Sequence, residues 1–394
     1  MARTSFHKNS TITTRVVCAV CFLAFSFVWL FAFQADVLTV AQHVLSKGVT
    51  HYDRTIGAVL ITLLLYLLQV LIFAVTRLSR RTHALTYFPS FLLLAILSDF
   101  NTDHGPHIDI GTWAWLAPVV LVLWGVGVWL SRQLLPFETD QKVPTGIFSR
   151  RIWINILLMT VMMLTVAGIS NTNAVYHFKA HAETALMRGD YNEALRVGSK
   201  SIETDRQLTM LRIYALSQQG LLGEKLFSYP IAGNSEDILP MTNDLLILLA
   251  DSIWKHLGGR PIYKLSTARY LEALQKDSLA TSAVTDYMLC ARLIDRDLDG
   301  FVQLLEQYTS LQHSLSTGEA FSTQSLPRHY REALILYKHL KAKPTAISSD
   351  SLHDEDWKNL QQLKEQYANP RERQLKVFEN FRNTYWYYYE YGEK

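Results

Sequence analysis

The sequence is poor in cysteine. Three cysteines occur in 394 residues, and two of them, Cys18 and Cys21, form a C-x-x-C pair inside an apolar run. A redox or zinc pair needs a polar, accessible setting, and a structural zinc site needs four ligands. We therefore interpret this pair as small apolar residues of a membrane segment. Cys290 is distant in sequence from both, and no disulfide framework is predicted.

An excess of basic charge is also missing where nucleic-acid binding would need it. The whole chain has 38 Lys and Arg against 35 Asp and Glu, and residues 171–394 alone have 26 against 28. Binding to a phosphate backbone requires a basic field. We therefore expect no nucleic-acid partner.

The motifs of several enzyme classes are absent as well. The chain has no Walker loop, no G-x-S-x-G elbow, no H-E-x-x-H pair and no dinucleotide fingerprint. Sustained two-residue alternation and Asn-Gly hairpins, which indicate β-strands, are also missing. The sequence therefore predicts an all-α fold without a cofactor. It favours a non-enzymatic function and leaves an enzyme as the alternative.

Long apolar runs are abundant in residues 1–170. Four of them have the length that a membrane crossing requires, at about 1.5 Å per residue across a core of about 30 Å; they are residues 16–33, 56–75, 112–130 and 152–170. The first run has no convincing signal-peptidase site, so we expect it to remain uncleaved. A fifth run, 82–98, is shorter and contains Pro89.

The basic residues favour five spans over four. With five spans and a cytoplasmic N-terminus, the inside segments hold ten Lys and Arg and the outside loops two, or four with Lys179 and Arg188 included. With four spans the division is six against six. The positive-inside rule therefore predicts a multi-pass inner-membrane protein. Its partner is the lipid bilayer through a transmembrane domain, 1–170, and its second domain, 171–394, is extracytoplasmic.

Residues 171–394 have the periodicity of short amphipathic helices. The pattern Y-x-E-A-L occurs at Tyr191–Leu195, Tyr270–Leu274 and Tyr330–Leu334. The stretch GDYNEAL from Gly189 resembles the turn and second helix of a tetratricopeptide repeat (TPR). The spacings of 79 and 60 residues are not multiples of the usual repeat of about 34. We expect irregular helical hairpins stacked into a TPR-like solenoid, with a compact helical bundle as the alternative.

Four stretches carry a family resemblance that covers most of the chain: Gln34–Asp53, Ala84–Asp99, Leu326–Tyr337 and Asn383–Gly392. The sequence resembles a family of uncharacterised bacterial multi-pass membrane proteins with a repeat-like helical C-terminal region. That family has no assigned activity. The resemblance therefore implies an architecture and no site residues.

One motif matches the calcium loop of an EF-hand. Asp295, Asp297 and Asp299 alternate, Gly300 follows, and Glu306 closes the pattern D-x-D-x-D-G-x5-E. Calcium prefers such hard oxygen ligands, a glycine at the bend and a bidentate glutamate. EF-hands usually occur in pairs, however, and the chain has no second loop. The alternative is that Asp297 or Asp299 caps the helix that follows.

Acidic and imidazole groups also gather in the segments that we place outside. Such groups bind metals or act as bases; they are Asp99, Asp103, His104, His107 and Asp109, with Gln34, Asp36, Gln42 and His43 in the first outer loop. An envelope enzyme acting on a lipid-linked or cell-wall substrate would use the loops near Asp36, Asp99, Asp103 and His107. A solvated turn needs only the same composition.

The chain ends in an aromatic segment, Tyr385–Tyr391. It could rest at the membrane interface, dock a partner, or pack on the preceding helix through Phe378 and Phe381. Of the two overall functions, we favour a non-enzymatic membrane protein. Its outer helical domain would bind a protein or peptide partner.

Overall fold

The computed structural model describes residues 2–78, 82–100, 111–133, 149–240, 245–260, 265–277, 279–315, 326–341 and 351–392. Every regular element in these ranges is a helix, which confirms the expected all-α class. The chain divides into two compact units, Met1–Asn173 and Ala174–Lys394, which are described separately.

The described residues of unit 1 (Met1–Asn173) form six α-helices. They are α1 Ala2–Val28, α2 Ala35–Ser46, α3 Arg54–Thr76, α4 Phe88–Ser98, α5 Trp113–Gln133 and α6 Arg150–Ile169. Helix α1 continues as the π-helix Trp29–Phe33, and α4 follows the 3-10 helix His83–Tyr87. Asp53 starts α3 by accepting from the N–H groups of Thr55 and Ile56. Ser149 starts α6 in the same way, with Arg151 as the donor.

Among its described residues, unit 1 has four helices that are long and apolar enough to cross a membrane: Ile12–Phe33, Arg54–Thr76, Trp113–Gln133 and Arg150–Ile169. They coincide with four of the expected runs. The fifth run forms a shorter apolar helix, His83–Ser98. Its 5 residues of 3-10 helix and 11 of α-helix measure roughly 26 Å at about 2.0 and 1.5 Å per residue.

Hydrogen bonds along α4 show that α3 runs in the opposite direction. The Ser90 hydroxyl donates to the Leu65 carbonyl oxygen at 2.7 Å, and the Gln69 amide donates to the Thr86 hydroxyl at 2.9 Å. Later residues of α3 thus lie beside earlier residues of the following segment. The two helices are therefore antiparallel.

Helices α6 and α1 run in the same direction as α4. In the 3-10 helix that leads into α4, the Ala84 N–H donates to the Asn155 side-chain oxygen at 2.7 Å. At the end of α4 the Asn171 N–H donates to the Ser98 carbonyl oxygen at 2.8 Å, and the Trp29 indole donates to the Ser98 hydroxyl at 3.1 Å. The C-terminal ends of α1, α4 and α6 therefore meet at one end of unit 1.

Helix α5 returns antiparallel to α4. The hydroxyl groups of Thr82 and Ser131 are 3.0 Å apart, and the Trp113 indole donates to the Asp99 carboxylate at 2.7 Å. The five long segments, which are α1, α3, the 3-10 helix with α4, α5 and α6, therefore alternate in direction through unit 1. The 3-10 helix and α4 together extend from one end of the unit to the other.

Charged side chains differ between the two ends of unit 1. Among the described side chains, the end at which α1, α4 and α6 begin, here called the basic end, has only arginines: Arg15, Arg77, Arg132, Arg150 and Arg151. The opposite end, here called the acidic end, has Asp36, Asp53 and Asp99 together with Lys47 and Arg54.

Unit 2 (Ala174–Lys394) contains twelve described α-helices around one apolar core. They are α7 Ala174–Met187, α8 Tyr191–Arg196, α9 Arg206–Gln218, α10 Leu222–Lys225, α11 Ala250–Leu257, α12 Thr267–Gln275, α13 Ala283–Ile294, α14 Leu298–Leu315, α15 Arg328–Lys341, α16 Ser351–Gln366, α17 Pro370–Phe381 and α18 Tyr385–Tyr391. Two 3-10 helices, Leu226–Ser228 and Ser235–Ile238, lie between α10 and α11.

The three Y-x-E-A-L segments all lie in helices but are not equivalent. In α8 and α15 the alanines, Ala194 and Ala333, are buried, whereas Ala273 of α12 is exposed. A TPR buries this small residue between helices, so the three copies do not occupy one repeated position. Helices α7, α8 and α9 pack on one another, as a repeat hairpin would.

Contacts between distant helices also tie unit 2 together. Helix α10 packs on α15, where the Arg328 N–H donates to the Glu224 carboxylate at 2.6 Å across 104 residues. In a solenoid each repeat contacts only its neighbours. The described part of unit 2 is therefore closer to the compact alternative than to a regular solenoid.

Candidate functional site

The structure favours the helix-capping alternative over the calcium loop at residues 295–306. Helix α14 begins at Leu298, so Asp299, Gly300 and Glu306 are helical, whereas an EF-hand keeps its ligands on a 12-residue loop. The Gly300 N–H donates to the Asp297 carboxylate at 2.9 Å, which is the helix-capping alternative. Within the described ranges, no group of three His, Cys, Asp or Glu side chains could hold a metal ion.

The same turn joins three separate parts of unit 2. Asp295 accepts from the Ser235 N–H at 3.0 Å. Arg296 adopts a left-handed backbone with φ of 59°, which is unusual for a residue with a side chain. Its guanidinium donates to the carbonyl oxygens of Gly392 at 2.8 Å and Tyr388 at 3.2 Å. The turn therefore caps the C-terminal end of α18.

The aromatic segment caps α13 in return. The Tyr388 hydroxyl donates to the Ile294 carbonyl oxygen at 2.8 Å, and the Tyr385 hydroxyl donates to that of Leu293 at 3.3 Å. The last carbonyl groups of a helix have no partner within it, and the Tyr388 hydroxyl satisfies that of Ile294. The Leu293 carbonyl oxygen also accepts from the Arg296 N–H at 3.1 Å. The aromatic segment is therefore part of the core of unit 2, and the packing alternative is the correct one.

Packing on the preceding helix is only part of this contact. The Phe378 ring of α17 meets the Tyr387 ring edge to face at 5.7 Å. The deeper rings, Tyr385 and Trp386, are buried against α15. The Tyr385 backbone N–H donates to the Glu332 carboxylate, and the Trp386 indole donates to the Glu332 carbonyl oxygen. The expected contact through α17 is thus the outer layer of a larger aromatic cluster.

A buried carboxylate lies at the centre of these contacts. The side chain of Glu332 is 2% exposed and accepts from the Tyr385 N–H at 2.7 Å and from Arg328 at 2.8 Å. The His329 ring nitrogen lies 2.9 Å from it, and the Trp386 indole donates to the Glu332 carbonyl oxygen at 2.7 Å. We call these five residues the Glu332 junction.

The electrostatics of the junction favour the charged form of Glu332. Burial raises the pKa of the Glu332 carboxyl, but the hydrogen bond and charge of His329, the charge of Arg328 and the Tyr385 N–H outweigh burial and lower the pKa below its ordinary value. Sequence reasoning did not identify this residue. The available signal was that Arg328 and His329 precede it by four and three residues on one helix face.

Cys290 lies beside a second buried polar pair. The Tyr330 hydroxyl donates to Asp286 at 3.0 Å and lies 3.6 Å from the Cys290 sulfur. Burial raises the pKa of the Cys290 thiol and, less strongly, that of Asp286. A thiol nucleophile needs a lowered pKa and access to solvent. Cys290 has the opposite environment.

A third buried carboxylate, Glu183 of α7, anchors the segment before α11. It accepts from the backbone N–H groups of Leu246, Ile247 and Leu248 at 2.5 to 3.0 Å. Burial raises the pKa of Glu183 to about 7, although those N–H groups and Lys179 act to lower it. This carboxylate holds two segments of unit 2 together.

Those residues proposed for an envelope enzyme that the structure describes belong to the acidic end of unit 1. Asp99 accepts from the Trp113 indole, Asp36 lies in the first turn of α2, and the Gln34 side chain donates to the Asn171 carbonyl oxygen at 3.2 Å. Four others lie outside the described residues: Asp103, His104, His107 and Asp109. Gln42 donates to the Thr50 hydroxyl at 3.0 Å. An active site formed by these groups stays a prediction.

Residues 265–392 match the model of one protein family, a family of unknown function named DUF6057. No curated protein and no solved structure matches the chain. The matched residues begin just before α12 and end just after α18. They include the Glu332 junction and the Arg296 turn, and they include none of the membrane-length helices.

Proposed function

We propose that the chain is an integral membrane protein of the inner membrane that crosses the bilayer five times. Its basic end lies in the cytoplasm, and unit 2 lies on the outer side, where it binds a protein or peptide. The observation that carries the topology is the charge difference between the ends of unit 1. The five described arginines of the basic end match the positive-inside rule.

The alternating directions of the segments support an odd number of crossings. Because α1 and α6 run parallel, the starts of both belong to the basic end, and Asn171 belongs to the other. The shortest of the five segments is His83–Ser98, whose length of roughly 26 Å compares with a hydrocarbon core of about 30 Å. A mismatch of a few ångströms is tolerated by local thinning of the bilayer.

The backbone of that short segment also has polar partners. In hydrocarbon every N–H and C=O group needs a hydrogen bond. Asn155 accepts from the Ala84 N–H, and the Trp124 indole donates to the Leu85 carbonyl oxygen at 2.9 Å. Neighbouring helices therefore supply the bonds that the 3-10 start leaves open, and this supports a crossing.

The case for a binding role comes from unit 2. The buried groups Glu183, Glu332 and Cys290 and the half-buried Asp286 each contact another part of the core, and this favours a structural use over catalysis. Helices α7 to α9 would form a TPR-like hairpin within the domain. Several leucines are at least half exposed and offer apolar contact points; they are Leu249, Leu279, Leu340 and Leu375.

Reporter fusions test the topology. An enzyme that is active only outside the cytoplasm would be fused to chains truncated after Asp99, after Gln133 and after Asn173, and to the full chain after Lys394. We expect activity after Asp99, after Asn173 and after Lys394, and none after Gln133. Four crossings reverse all four results, including the one after Lys394, so that reversal would disprove the topology.

Photo-crosslinking in intact cells tests the binding role. A photoreactive amino acid would replace Leu279, Leu340 or Leu375 in separate variants, with the exposed polar residues Lys276 and Glu379 as matched positions. We expect one discrete adduct from a leucine position and none from the two polar positions. Uniform labelling, or no adduct at any leucine, contradicts a specific partner on this part of the surface.

A further inference from the structure

We propose that the last turn of α3, at the basic end of unit 1, binds the phosphate head group of an anionic phospholipid. The proposal rests on the proposed function in one respect, which is that unit 1 lies in a bilayer. It adds a defined site and a defined class of lipid.

Three arginines from different segments converge on this turn. The Arg15 guanidinium of α1 lies 4.3 Å from the centre of the Phe73 ring. Arg132 of α5 donates to the Thr76 carbonyl oxygen, and Arg77 is the C-cap residue of α3, with a φ of 46°. All three side chains are exposed. They therefore surround one helix end and remain open to a ligand.

These charges are not balanced by the described residues around them. None of the three arginines has a carboxylate partner within the described ranges, and the described acids of unit 1 lie at the acidic end. The C-terminal end of α3 contributes about −0.5 of a charge through the helix dipole. Roughly +2.5 charges then remain around one turn, which an anion would neutralise.

The apolar surface beside the arginines favours a lipid over free phosphate. On the last turns of α3, Leu71 is 60% and Val75 is 70% exposed, and on α5 Trp129 is 58% exposed. A phospholipid places its acyl chains against such a surface while its phosphate meets the basic residues at the membrane boundary. Inorganic phosphate would use only the charges.

Spin-labelled lipids measure this preference directly. The full chain would be reconstituted in phosphatidylcholine vesicles that contain a trace of spin-labelled phosphatidylglycerol or phosphatidylcholine, and the motionally restricted fraction of each would be compared. We expect the wild-type chain to prefer phosphatidylglycerol. Arg15→Gln and Arg77→Gln should each reduce the preference about fivefold, the equivalent of about 1 kcal/mol per charge.

Two variants distinguish a defined lipid site from a general attraction of anionic lipid to the positive charges of the chain. A variant with Lys47→Gln, Arg188→Gln and Lys200→Gln removes three exposed positive charges elsewhere in the chain and should keep the preference. Arg132→Lys keeps the charge of the third arginine and should also keep it. If the triple variant loses as much preference as Arg15→Gln with Arg77→Gln, the attraction is diffuse and the proposed site is wrong.

The remaining outcomes distinguish the inference from the proposed function. Failure of the chain to enter vesicles at all would overturn the membrane proposal itself. Entry with equal restriction of both lipids by the wild-type chain would overturn only the lipid site. Complete loss of the preference in inorganic phosphate, at an ionic strength matched with chloride, would assign the arginines to free phosphate and overturn the lipid.

Discussion

The Arg296 guanidinium lies 5.2 Å from the centre of the Tyr388 ring and donates to the carbonyl oxygen of the same residue at 3.2 Å. The Tyr388 hydroxyl donates in turn to the end of α13, just before Arg296. Each helix therefore caps the other, although 92 residues separate Arg296 from Tyr388. Removal of the Tyr388 hydroxyl should leave the Ile294 carbonyl oxygen without its donor, whereas the Tyr388 carbonyl oxygen keeps the Gly392 N–H at 2.9 Å when Arg296 is removed.

Stability of unit 2 can be followed in the full chain through Cys290, which is 1% exposed. In a background with Cys18→Ala and Cys21→Ala, here called the Cys290 reporter, this thiol reacts with a disulfide dye such as 4,4′-dithiodipyridine only when unit 2 opens. The temperature at which detergent-solubilised protein becomes reactive then measures the stability of unit 2.

Tyr388→Phe should destabilise unit 2 by about 1–3 kcal/mol, because the Ile294 carbonyl oxygen loses its donor and stays buried. The Cys290 reporter should then react at a lower temperature. The matched control is Tyr389→Phe, because Tyr389 is less buried and stacks near the same ring cluster. An equal shift in both variants would contradict the capping role of the Tyr388 hydroxyl.

Glu332→Gln should destabilise unit 2 more strongly, by about 3–5 kcal/mol, because it leaves Arg328 and the buried polar groups of the junction without a charged acceptor. Glu365→Gln is the control, since Glu365 is exposed on α16 and the variant makes the same chemical change at the surface. A reporter temperature for Glu332→Gln within a degree of that control would show that the junction does not hold unit 2 together.

The lowered pKa of Glu332 gives a pH dependence with a defined sign. A carboxyl whose folded pKa lies below its unfolded value, near 4.3, contributes stability above that value and loses it as pH falls through the folded pKa. The wild-type reporter should therefore lose stability below about pH 4, and Glu332→Gln should lose less over the same range. Parallel curves for the two proteins would contradict this assignment.

Glu183 should show the opposite dependence. Burial raises the pKa of Glu183 to about 7, so folding favours its protonated form, and its contribution is lost as pH rises from about 4.5 to about 7. Glutamine imitates the protonated form. Glu183→Gln should therefore gain up to about 3 kcal/mol relative to wild type between those pH values. A constant difference across that range would disprove the raised pKa.

Gly258→Ala should be far more damaging than Gly189→Ala, although both glycines have a left-handed backbone, with φ of 82° and 74°. A Cβ atom at Gly258 would lie 1.9 Å from the Leu279 carbonyl oxygen, whereas at Gly189 it would meet nothing within 4 Å. Gly189→Ala should cost only the conformational strain of about 1–2 kcal/mol. Similar reporter temperatures for the two variants would contradict the close backbone approach at Gly258.

The membrane-length helices were the most predictable part of the fold. A run such as 56–75 needs only composition and length to be recognised, and it lies within α3, Arg54–Thr76. The segment at 82–98 was harder, because its 3-10 start depends on Asn155 and Trp124 of other helices. No local pattern contains that information.

The sequence left calcium binding and helix capping open at the motif that begins at Asp295 for a specific reason. Alternating aspartates followed by glycine suit an EF-hand loop, and an aspartate before a helix also suits an N-cap. The choice between them depends on where α14 begins, and the partners of Asp295 and Arg296 lie 60 and 92 residues away. Glu332 was missed for the same reason, since the Tyr385 N–H is 53 residues distant.

The mutual capping of α13 and α18 also constrains the order in which unit 2 acquires its structure. The tyrosine hydroxyl groups that donate to the end of α13 belong to residues that the ribosome adds more than 90 residues later. At about 5–20 residues per second, that interval lasts roughly 5 to 20 seconds. Until the aromatic segment Tyr385–Tyr391 has been synthesised, it cannot pack on the faces of α13 and α15 that it buries in the folded protein. A nascent chain at this stage would be a natural client for chaperones, and a protease would find it easier to cleave than the finished protein.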